Sequence, residues 1–491
     1  MLNRSRTLHC VLSALTIFVV VGLVPSADTV AVAQSSRLEL GRRLQRFEKA
    51  WESAAPERRT ASVPPLKMAV NSFFSLRLAE AGRQLDNAWI AVRGPADAPT
   101  ALEQSVIGLQ LLPAPVCADG LHTGLRLQLK PFYDISPPLP SSALLMLAIH
   151  DDTGKVLAEK SFPVSEAVDG ADWELSTLPA GDHTLKARIQ DGSDASAHYR
   201  LPDCTISRIP ELTSRLEKLQ MVAKSATPAS DDLRQSVVHA TIKTTVATVA
   251  ALQQGRLQET DYPIFDRLAL AEKLMAESQP SDLLLEHSRS RDLWLTLANG
   301  SKAVPTRIRS PRESTGPLPV LFVFHGAGGS ENMFFETYGA GRTIREAVNR
   351  GWLVVSPGQG LLGLALDVPD MLSALEPWFP IDRTRVMLLG HSMGAAQVIR
   401  QVQRHPETAI AAVALGGGGR FAARQPPSAT WFVAAGEEDF GRPGARQLHQ
   451  SLVSAGISST WREYPDIEHL AIVQAAIPDV FQFLDETLTG R

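Results

Sequence analysis

The chain has no excess of positive charge. Its 491 residues contain 48 Lys and Arg against 52 Asp and Glu, which gives a formal net charge of −4. A nucleic-acid-binding surface depends on a broad positive field, so this balance argues against nucleic acid as a partner.

Long apolar runs are scarce as well. Val11–Val24 is mostly apolar, follows Arg4 and Arg6, and precedes the small-x-small sequence Ala-Val-Ala at residues 31–33. A membrane-spanning helix needs about 20 apolar residues, whereas a shorter run behind positive residues is typical of a secretory signal peptide. We therefore expect residues 1–33 to be removed near Ala33. The mature protein would then be secreted or periplasmic, without stable membrane insertion. The alternative is an uncleaved membrane anchor.

Cysteine is rare. Cys10 lies in the expected signal segment, so only Cys117 and Cys204 would remain after cleavage. An even pair in an oxidising compartment favours a disulfide bridge, which would add about 3–5 kcal/mol in the chain-entropy model. Two buried free thiols are the alternative, because the sequence does not fix the distance between the two Cα atoms.

The chain contains no internal repeat, but it divides into four regions after residue 33. Apolar residues at helical spacing predict a helical hairpin over residues 34–104. Short strands separated by turn residues predict a β-sandwich of immunoglobulin or fibronectin-III type over residues 105–206. Helical spacing returns over residues 207–285. We expect these helices to pack with the N-terminal pair, so that the sandwich is inserted into one bundle.

Residues 286–491 alternate short apolar strands with helical stretches. This alternation predicts an α/β domain with a mostly parallel sheet covered by helices on both faces. Leu293–Leu297 and Pro305–Ile308, separated by Asn299-Gly300, predict a hairpin before that sheet. The chemistry predicted below all lies in this last region.

The sequence Gly-His-Ser-Met-Gly at residues 390–394 follows an apolar strand and precedes a helix-forming run. In this setting two glycines, Gly390 and Gly394, allow a turn tight enough to present a strained Ser392 above the sheet edge. The helix N-terminus behind it favours developing negative charge. We predict that Ser392 is a nucleophile, against the alternative of a simple helix-capping serine.

A second glycine-rich segment, His325–Ser330, also follows an apolar strand. Backbone amides in such a loop can stabilise an oxyanion, and we predict Ala327 and Met393 as the donors. His325, Gly326 and Gly328 would support the loop, with His325 structural and not a base. A phosphate-binding loop is disfavoured because the Gly-Lys-Ser/Thr ending is missing. This chemistry requires neither a metal nor an organic cofactor.

The base should follow the nucleophile in the chain. His405 and His449 lie within helical patterns, whereas His469 lies in a loop directly after the last predicted strand. Loops at the carboxyl ends of parallel strands carry the chemistry in this type of sheet. We therefore predict His469 as the base.

The acid should lie between Ser392 and His469. We choose Asp439, which follows the strand near Trp431, with Glu438 and Glu437 as alternatives. Asp466 is too close to His469 in the chain to be the first choice. The acid would fix the tautomer of the histidine and stabilise its protonated form.

These segments carry a family resemblance. From about residue 292 onward, roughly two-fifths of the chain resembles α/β-hydrolase-fold esterases, especially the polyhydroxybutyrate-depolymerase and feruloyl-esterase-like group. It has some likeness to dienelactone hydrolases and to the prolyl-oligopeptidase catalytic domain. The resemblance is carried by HGAGGSENM (His325–Met333), GWLVVSP (Gly351–Pro357), IDRTRVMLLGHSMGA (Ile381–Ala395), AAGEEDF (Ala434–Phe440) and YPDIEHL (Tyr464–Leu470).

The resemblance implies a sheet of eight strands, or slightly fewer, and hydrolysis through an acyl-enzyme. We expect an exported serine esterase that acts on small-molecule or polymeric esters. The alternatives are a serine peptidase of prolyl-oligopeptidase type, which the absence of propeller repeats disfavours, and a catalytically inactive binding protein. The short interval between Ala414 and Trp431 leaves little room for a lid, so we expect an open site.

Overall fold

The computed structural model describes residues 27–94, 99–113, 116–118, 124–192, 194, 197–225, 232–254, 260–276, 281–314, 316–360, 363–422, 425 and 427–490. For residues 27–35, 116–118 and 281–282 it describes the backbone alone. Of the expected signal segment, residues 1–26, including Cys10, lie outside the described residues. Residues 27–33 form the start of the first helix. Cleavage near Ala33 therefore stays a prediction. Within the described residues, no helix has both the length and the apolar character that crossing a membrane requires.

The first part of the chain forms helices, then two small sheets, then helices again. The elements are α1 (Ala27–Ser53), α2 (Pro56–Ala61), α3 (Val63–Phe74), α4 (Leu78–Arg93), α5 (Ala101–Val106), β1 (Leu109–Pro113), β2 (Val116–Ala118), β3 (Gly124–Pro131), β4 (Leu144–His150), β5 (Val156–Pro163), α6 (Val164–Asp169), β6 (Ala171–Glu174), β7 (Gly181–Gln190), β8 (His198–Arg200), β9 (Cys204–Ile209), α7 (Leu212–Ala223), α8 (Leu233–Gln253), α9 (Ile264–Ala276) and α10 (Ser281–Ser290).

The remaining residues form the largest sheet and the helices around it. The elements are β10 (Leu293–Asn299), β11 (Lys302–Arg309), β12 (Leu318–Phe324), α11 (Met333–Glu336), a 3₁₀ turn (Tyr338–Gly341), α12 (Arg342–Asn349), β13 (Leu353–Pro357), α13 (Val368–Leu375), β14 (Ile381–His391), α14 (Met393–Arg404), β15 (Ala411–Leu415), β16 (Thr430–Gly436), α15 (Arg442–Ser454), β17 (Ser459–Tyr464) and α16 (Ile472–Thr489).

The large sheet has eight strands in the order β10-β11-β13-β12-β14-β15-β16-β17. The first two strands form the antiparallel hairpin, with Asn299 opposite Lys302, and β11 also pairs antiparallel with β13. The other five pairs are parallel: β13 with β12, β12 with β14, β14 with β15, β15 with β16, and β16 with β17. Because parallel strands end at the same edge, the loops after β12, β14, β16 and β17 meet there.

The two faces of this sheet are covered by different helices. Along β12, Leu318, Val320, Phe322 and Phe324 point to one face, and the alternate residues point to the other. The first face packs against apolar side chains of α8, α9, α10, α13, α14 and α15. The second face packs against α1, α3, α4, α12 and α16.

The predicted single bundle of N-terminal and middle helices is therefore wrong. Helices α1 and α4 bury their apolar residues on one face of the large sheet, and α8 and α9 bury theirs on the opposite face. The hairpin prediction is also too simple, since residues 27–106 form five helices. Helical periodicity shows that a helix has a buried face, but it does not show which surface covers that face.

The region between the two helical sets consists of two sheets over a shared core. One has the order β1-β3-β6, and the other has the order β2-β9-β7-β4-β5 with β8 paired to β7. Leu125 and Leu127 from the first sheet share an apolar cluster with Leu145 and Leu147 from the second. Most pairs are antiparallel, but β2 runs parallel to β9.

The predicted disulfide bridge is contradicted by the strand register. Cys117 lies opposite Arg208 in the pair of β2 and β9, whereas Cys204 lies four positions earlier on β9. At about 3.3 Å per residue this separates the two positions by roughly 13 Å, beyond the ~7 Å that a disulfide spans. Cys204 is a free, buried thiol, and burial raises its pKa to about 12.

A buried ionic cluster fixes α1 to α4 and to the two-sheet region. The Arg43 guanidinium pairs with Glu39 at 2.9 Å and with Asp86, and it donates to the carbonyl of Leu109 at 3.1 Å. Asp86 also accepts a hydrogen bond from the Tyr133 hydroxyl at 2.6 Å. Because these groups are buried, each partner compensates the desolvation of the others.

We predict that Asp86→Ala lowers the free energy of unfolding by about 3 kcal/mol, because it leaves the buried charge of Arg43 only partly paired. Urea denaturation provides the measurement. The matched control is Glu80→Ala on the same helix, where the partner Arg83 has a side chain that is 55% exposed. That change should cost less than about 1 kcal/mol. Equal effects of the two substitutions would contradict the prediction.

Candidate active site

Ser392 occupies the sharp turn between β14 and α14. Its backbone has φ 57° and ψ −116°, a conformation that residues other than glycine rarely adopt. A Cβ on Gly394 would lie 1.9 Å from the carbonyl oxygen of Phe324, and one on Gly390 would lie 2.2 Å from the carbonyl oxygen of Gly394. Only glycine fits at these two positions, so the predicted motif matches what the backbone requires here.

Three side chains meet at this turn. The His469 ring lies with Nε2 3.0 Å from the Ser392 hydroxyl oxygen and with Nδ1 2.7 Å from Oδ1 of Asp439. Asp439 follows β16 and His469 follows β17, so the parallel sheet brings both loops to the end of β14. The His469 and Asp439 side chains are both almost completely buried. The arrangement can move a proton from Ser392 to His469 and stabilise the charge that results.

The environment of Asp439 favours its ionised form. Burial acts to raise the pKa of this carboxyl group, but the hydrogen bonds from His469 and from the Gly441 amide, at 2.6 Å, outweigh it and lower the pKa. An ionised Asp439 is what a positively charged imidazole beside it requires.

The other candidates for acid and base lie elsewhere. His405 pairs with Asp367 at 3.3 Å, and His449 contacts the hydroxyl of Ser459 at 2.9 Å. Of the alternative acids, Glu438 pairs with Lys67 at 2.6 Å. Asp466 accepts a hydrogen bond from Thr60 at 3.2 Å, and Glu437 is exposed. None of these groups takes the place of Asp439 or His469 beside Ser392.

The glycine-rich loop after β12 lies beside the nucleophile. A Cβ on Gly326 would be 3.2 Å from the Cβ of Ser392 and 2.8 Å from the Tyr338 hydroxyl oxygen, so the close approach requires glycine. Met393 is the first residue of α14, and its amide has no acceptor within the helix. Within residues 316–360, no described hydrogen bond uses the amide of Ala327. The role of these two amides as oxyanion donors stays a prediction.

His325 holds this loop in place. Its Nε2 accepts a hydrogen bond from the Gln359 amide at 3.1 Å, and Nδ1 donates to the carbonyl oxygen of Gly326 at 2.8 Å. The Gln359 side chain in turn donates to the carbonyl oxygen of His325 at 2.9 Å. Burial lowers the pKa of His325 to about 4, so the ring is neutral at pH 7.

Two residues at the site were not predicted from the sequence. His391, in the variable position of the nucleophile motif, donates from Nε2 to the carbonyl oxygen of His469 at 3.0 Å. Burial, and then the neighbouring His469, lower the pKa of His391 to about 3, so it is neutral. The Phe440 ring packs against the His469 ring at a tilt of 40°, with ring centroids 4.0 Å apart. Both residues lie within quoted sequence segments, but their roles depend on contacts that arise only in the folded chain.

The N-terminal helical layer, defined here as α1 to α4, covers the site. A cavity of about 110 Å³ extends from Ser392 and His469 between side chains of α1, α3 and α4. Polar contacts fix the cover to the catalytic loops: Lys67 pairs with Glu438, Thr60 bonds to Asp466, and Arg37 donates to the carbonyl oxygen of Gly328. The N-terminal helical layer therefore covers one side of a site that we expected to be open. The interval between β15 and β16 is indeed short, but the cover comes from a distant part of the sequence.

A metal site is not evident. Within the described residues, no group of three or more His, Cys, Asp and Glu side chains is arranged to hold a metal ion.

Comparisons with known proteins give structural likeness alone. No family model matches the chain, and no curated protein does. Among solved structures, the S-formylglutathione hydrolase from Staphylococcus aureus is 13% identical, with 40% of this chain and 98% of that chain covered and a TM-score of 0.34. A ferulic acid esterase is 17% identical, with coverage of 40% and 98% and a TM-score of 0.35. The S-formylglutathione hydrolase from Agrobacterium tumefaciens is 16% identical, with coverage of 40% and 96% and a TM-score of 0.34.

Glu468 is a buried carboxyl group next to the base. Its Oε2 accepts a hydrogen bond from the Leu470 amide at 2.7 Å. Burial raises the pKa of Glu468 to about 7, and it also raises the pKa of the nearby Glu48 on α1 well above its usual value. The folded protein therefore holds a proton on Glu468 that the unfolded chain releases at lower pH.

Because this pKa is raised on folding, ionisation of Glu468 costs stability as the pH rises from about 4.5 to 7. We predict that Glu468→Gln raises the free energy of unfolding at pH 8 by up to about 3 kcal/mol and changes it little at pH 4. Urea denaturation at both pH values measures the effect. Glu437→Gln, in the neighbouring exposed loop, is the control and should leave the pH dependence unchanged. A stabilisation by Glu468→Gln that is the same at both pH values would contradict the prediction.

Proposed function

We propose that the chain is a serine hydrolase of the α/β-hydrolase type that cleaves carboxylic esters through an acyl-enzyme. Ser392 is the nucleophile, His469 the base and Asp439 the acid that orients it. The observation that carries the proposal is the continuous hydrogen-bonded series from Asp439 through His469 to Ser392, at 2.7 and 3.0 Å. The positive φ of Ser392 supports it, because such strain is kept mainly where function requires it.

Each side chain of the site has a role in the proposed reaction. As the Ser392 oxygen attacks the ester carbonyl, His469 Nε2 takes the hydroxyl proton, and Asp439 stabilises the resulting imidazolium. The carbonyl oxygen becomes an oxyanion that the amides of Ala327 and Met393 stabilise, at about 3–4 kcal/mol for each donor. His469 then gives the proton to the leaving alcohol. In the second half of the reaction, His469 takes a proton from a water molecule, which attacks the acyl-enzyme and releases the carboxylic acid and free Ser392.

The cellular setting is part of the proposal. We propose export with cleavage near Ala33, supported by the apolar run Val11–Val24 behind two arginines. The two-sheet region of residues 105–206 is proposed as an accessory module of immunoglobulin or fibronectin-III type. Its shared apolar core supports this assignment.

The first test is Ser392→Ala. We predict that hydrolysis of p-nitrophenyl butyrate falls by more than about a thousandfold, because the nucleophile is lost, while the melting temperature stays close to that of the wild type. A fluorophosphonate probe should label the wild type and not this variant. Ser454→Ala, at the exposed end of α15, is the matched control. Unchanged turnover by Ser392→Ala would exclude the mechanism. If the wild type cleaves the matching anilide faster than the ester, a peptidase would be favoured.

A second test addresses Asp439. In Asp439→Asn the side chain keeps its shape but no longer favours the required histidine tautomer. We predict that kcat falls by about 10³ to 10⁴ with little change in KM. Steady-state kinetics on an aryl ester measure this. Glu438→Gln, next in the chain but paired with Lys67 at the surface, should have little effect. A larger loss in Glu438→Gln than in Asp439→Asn would reassign the acid.

A further inference from the structure

We propose that the N-terminal helical layer forms the acyl-binding pocket of this hydrolase and selects esters of unbranched aliphatic acids. The inference rests on the proposed function, since it names the substrate class of the same site. The selectivity would then reside in helices that lie more than 290 positions before Ser392 in the chain.

The cavity beside Ser392 has an apolar wall from three helices. Leu40 and Leu44 of α1, Val70 and Phe73 of α3, and Leu85 of α4 line it. Two small residues, Ala69 on α3 and Ala81 on α4, also line the cavity and add little side-chain bulk to its wall. A cavity with such walls gains free energy from each methylene group that leaves water to enter it.

Three polar side chains in the wall, those of Tyr338, Thr337 and Arg37, have partners within the fold. The Tyr338 hydroxyl accepts a hydrogen bond from the Gly326 amide at 3.3 Å, and the Thr337 hydroxyl donates to the sulfur of Met333 at 3.3 Å. Arg37 donates to the carbonyl oxygen of Gly328. A hydroxylated acyl group, such as a sugar acid or a phenolic acid, would lose hydrogen bonds to water on entering this mostly apolar cavity.

The Phe73 ring bounds the cavity where it meets the loop after β12. A Cβ on Gly328 would lie 2.7 Å from the edge of the Phe73 ring, so the ring packs directly on the loop. Phe73 also contacts Phe74, which packs against Phe440 beside His469. We expect this aromatic wall to favour a linear acyl chain over a branched or aromatic one.

The acyl group fits this cavity better than the alcohol does. The acyl chain stays bonded to Ser392 after the first step, so it can remain enclosed by the helices. The alcohol must take a proton from His469 and leave, and water must then reach the same atom. Phe440, which contacts the His469 ring, is 57% exposed, so this side of the site opens to solvent.

The test uses p-nitrophenyl esters of acetic, butyric, hexanoic and octanoic acids. The wild type should gain about fourfold in kcat/KM for each added methylene until the cavity is full. Val70→Phe and Ala81→Leu reduce the space from two different helices. Each should lower the ratio of hexanoyl to acetyl hydrolysis by more than about tenfold. Met68→Phe is the matched control on α3, since Met68 is 48% exposed and lies outside the cavity wall. In this variant the ratio of hexanoyl to acetyl hydrolysis should match that of the wild type.

Three outcomes would overturn the inference. The first is a wild-type profile that is flat or favours acetate, a measurement that needs no variant to fold. The second is an unchanged ratio in Val70→Phe and Ala81→Leu when their melting curves show folded protein. The third is a kcat/KM that rises as the alcohol is lengthened in a series of n-alkyl acetates, which would assign the cavity to the alcohol. If activity nevertheless depends on Ser392, the proposed function stands and only the acyl assignment fails.

Discussion

The position of Ser392 depends on one close backbone contact, between the first turn of α14 and the end of β12. Gly394 lies so near the carbonyl oxygen of Phe324 that no side chain fits between them. This contact sets the turn that holds Ser392 at positive φ. The oxyanion loop begins at His325, directly after Phe324. One contact therefore also fixes the separation between the nucleophile and the predicted oxyanion donors.

The large sheet organises the rest of the molecule because it offers two apolar faces. Helices α8 to α10 cover one face together with α13 to α15, and the N-terminal helical layer covers the other together with α12 and α16. The layer also reaches the carboxyl edge of the sheet, where one ion pair and two hydrogen bonds join it to the loops around Ser392 and His469. Stability and substrate selection are thus linked, since the same helices bury the sheet and enclose the cavity beside Ser392.

The strands of the large sheet and the residues around Ser392 could be predicted because local rules determine them. Each apolar run from Val320 to Tyr464 lies within an observed strand, and Asp439 and His469 follow strands whose ends must meet. The position of α1 to α4 could not be predicted in this way. Leu44 and Leu85 have the spacing of buried helical residues, but the spacing does not show that they face Ser392.

Other features depend on register or burial, which a single sequence does not display. Cys117 and Cys204 form an even pair, yet an offset of four residues between neighbouring strands keeps them apart. His391 and Glu468 lie beside recognised catalytic positions, but their roles come from desolvation and from contacts across the fold. The sequence therefore predicts the reacting groups better than their surroundings.

The central claim is that catalysis passes through an acyl group bonded to Ser392. The most direct measurement is mass spectrometry of protein quenched in acid during turnover of p-nitrophenyl butyrate, followed by peptide mapping. The account predicts a butyryl adduct on the peptide that contains Ser392, formed at the rate of the initial burst of p-nitrophenol. Steady hydrolysis with an adduct on a different residue would contradict it.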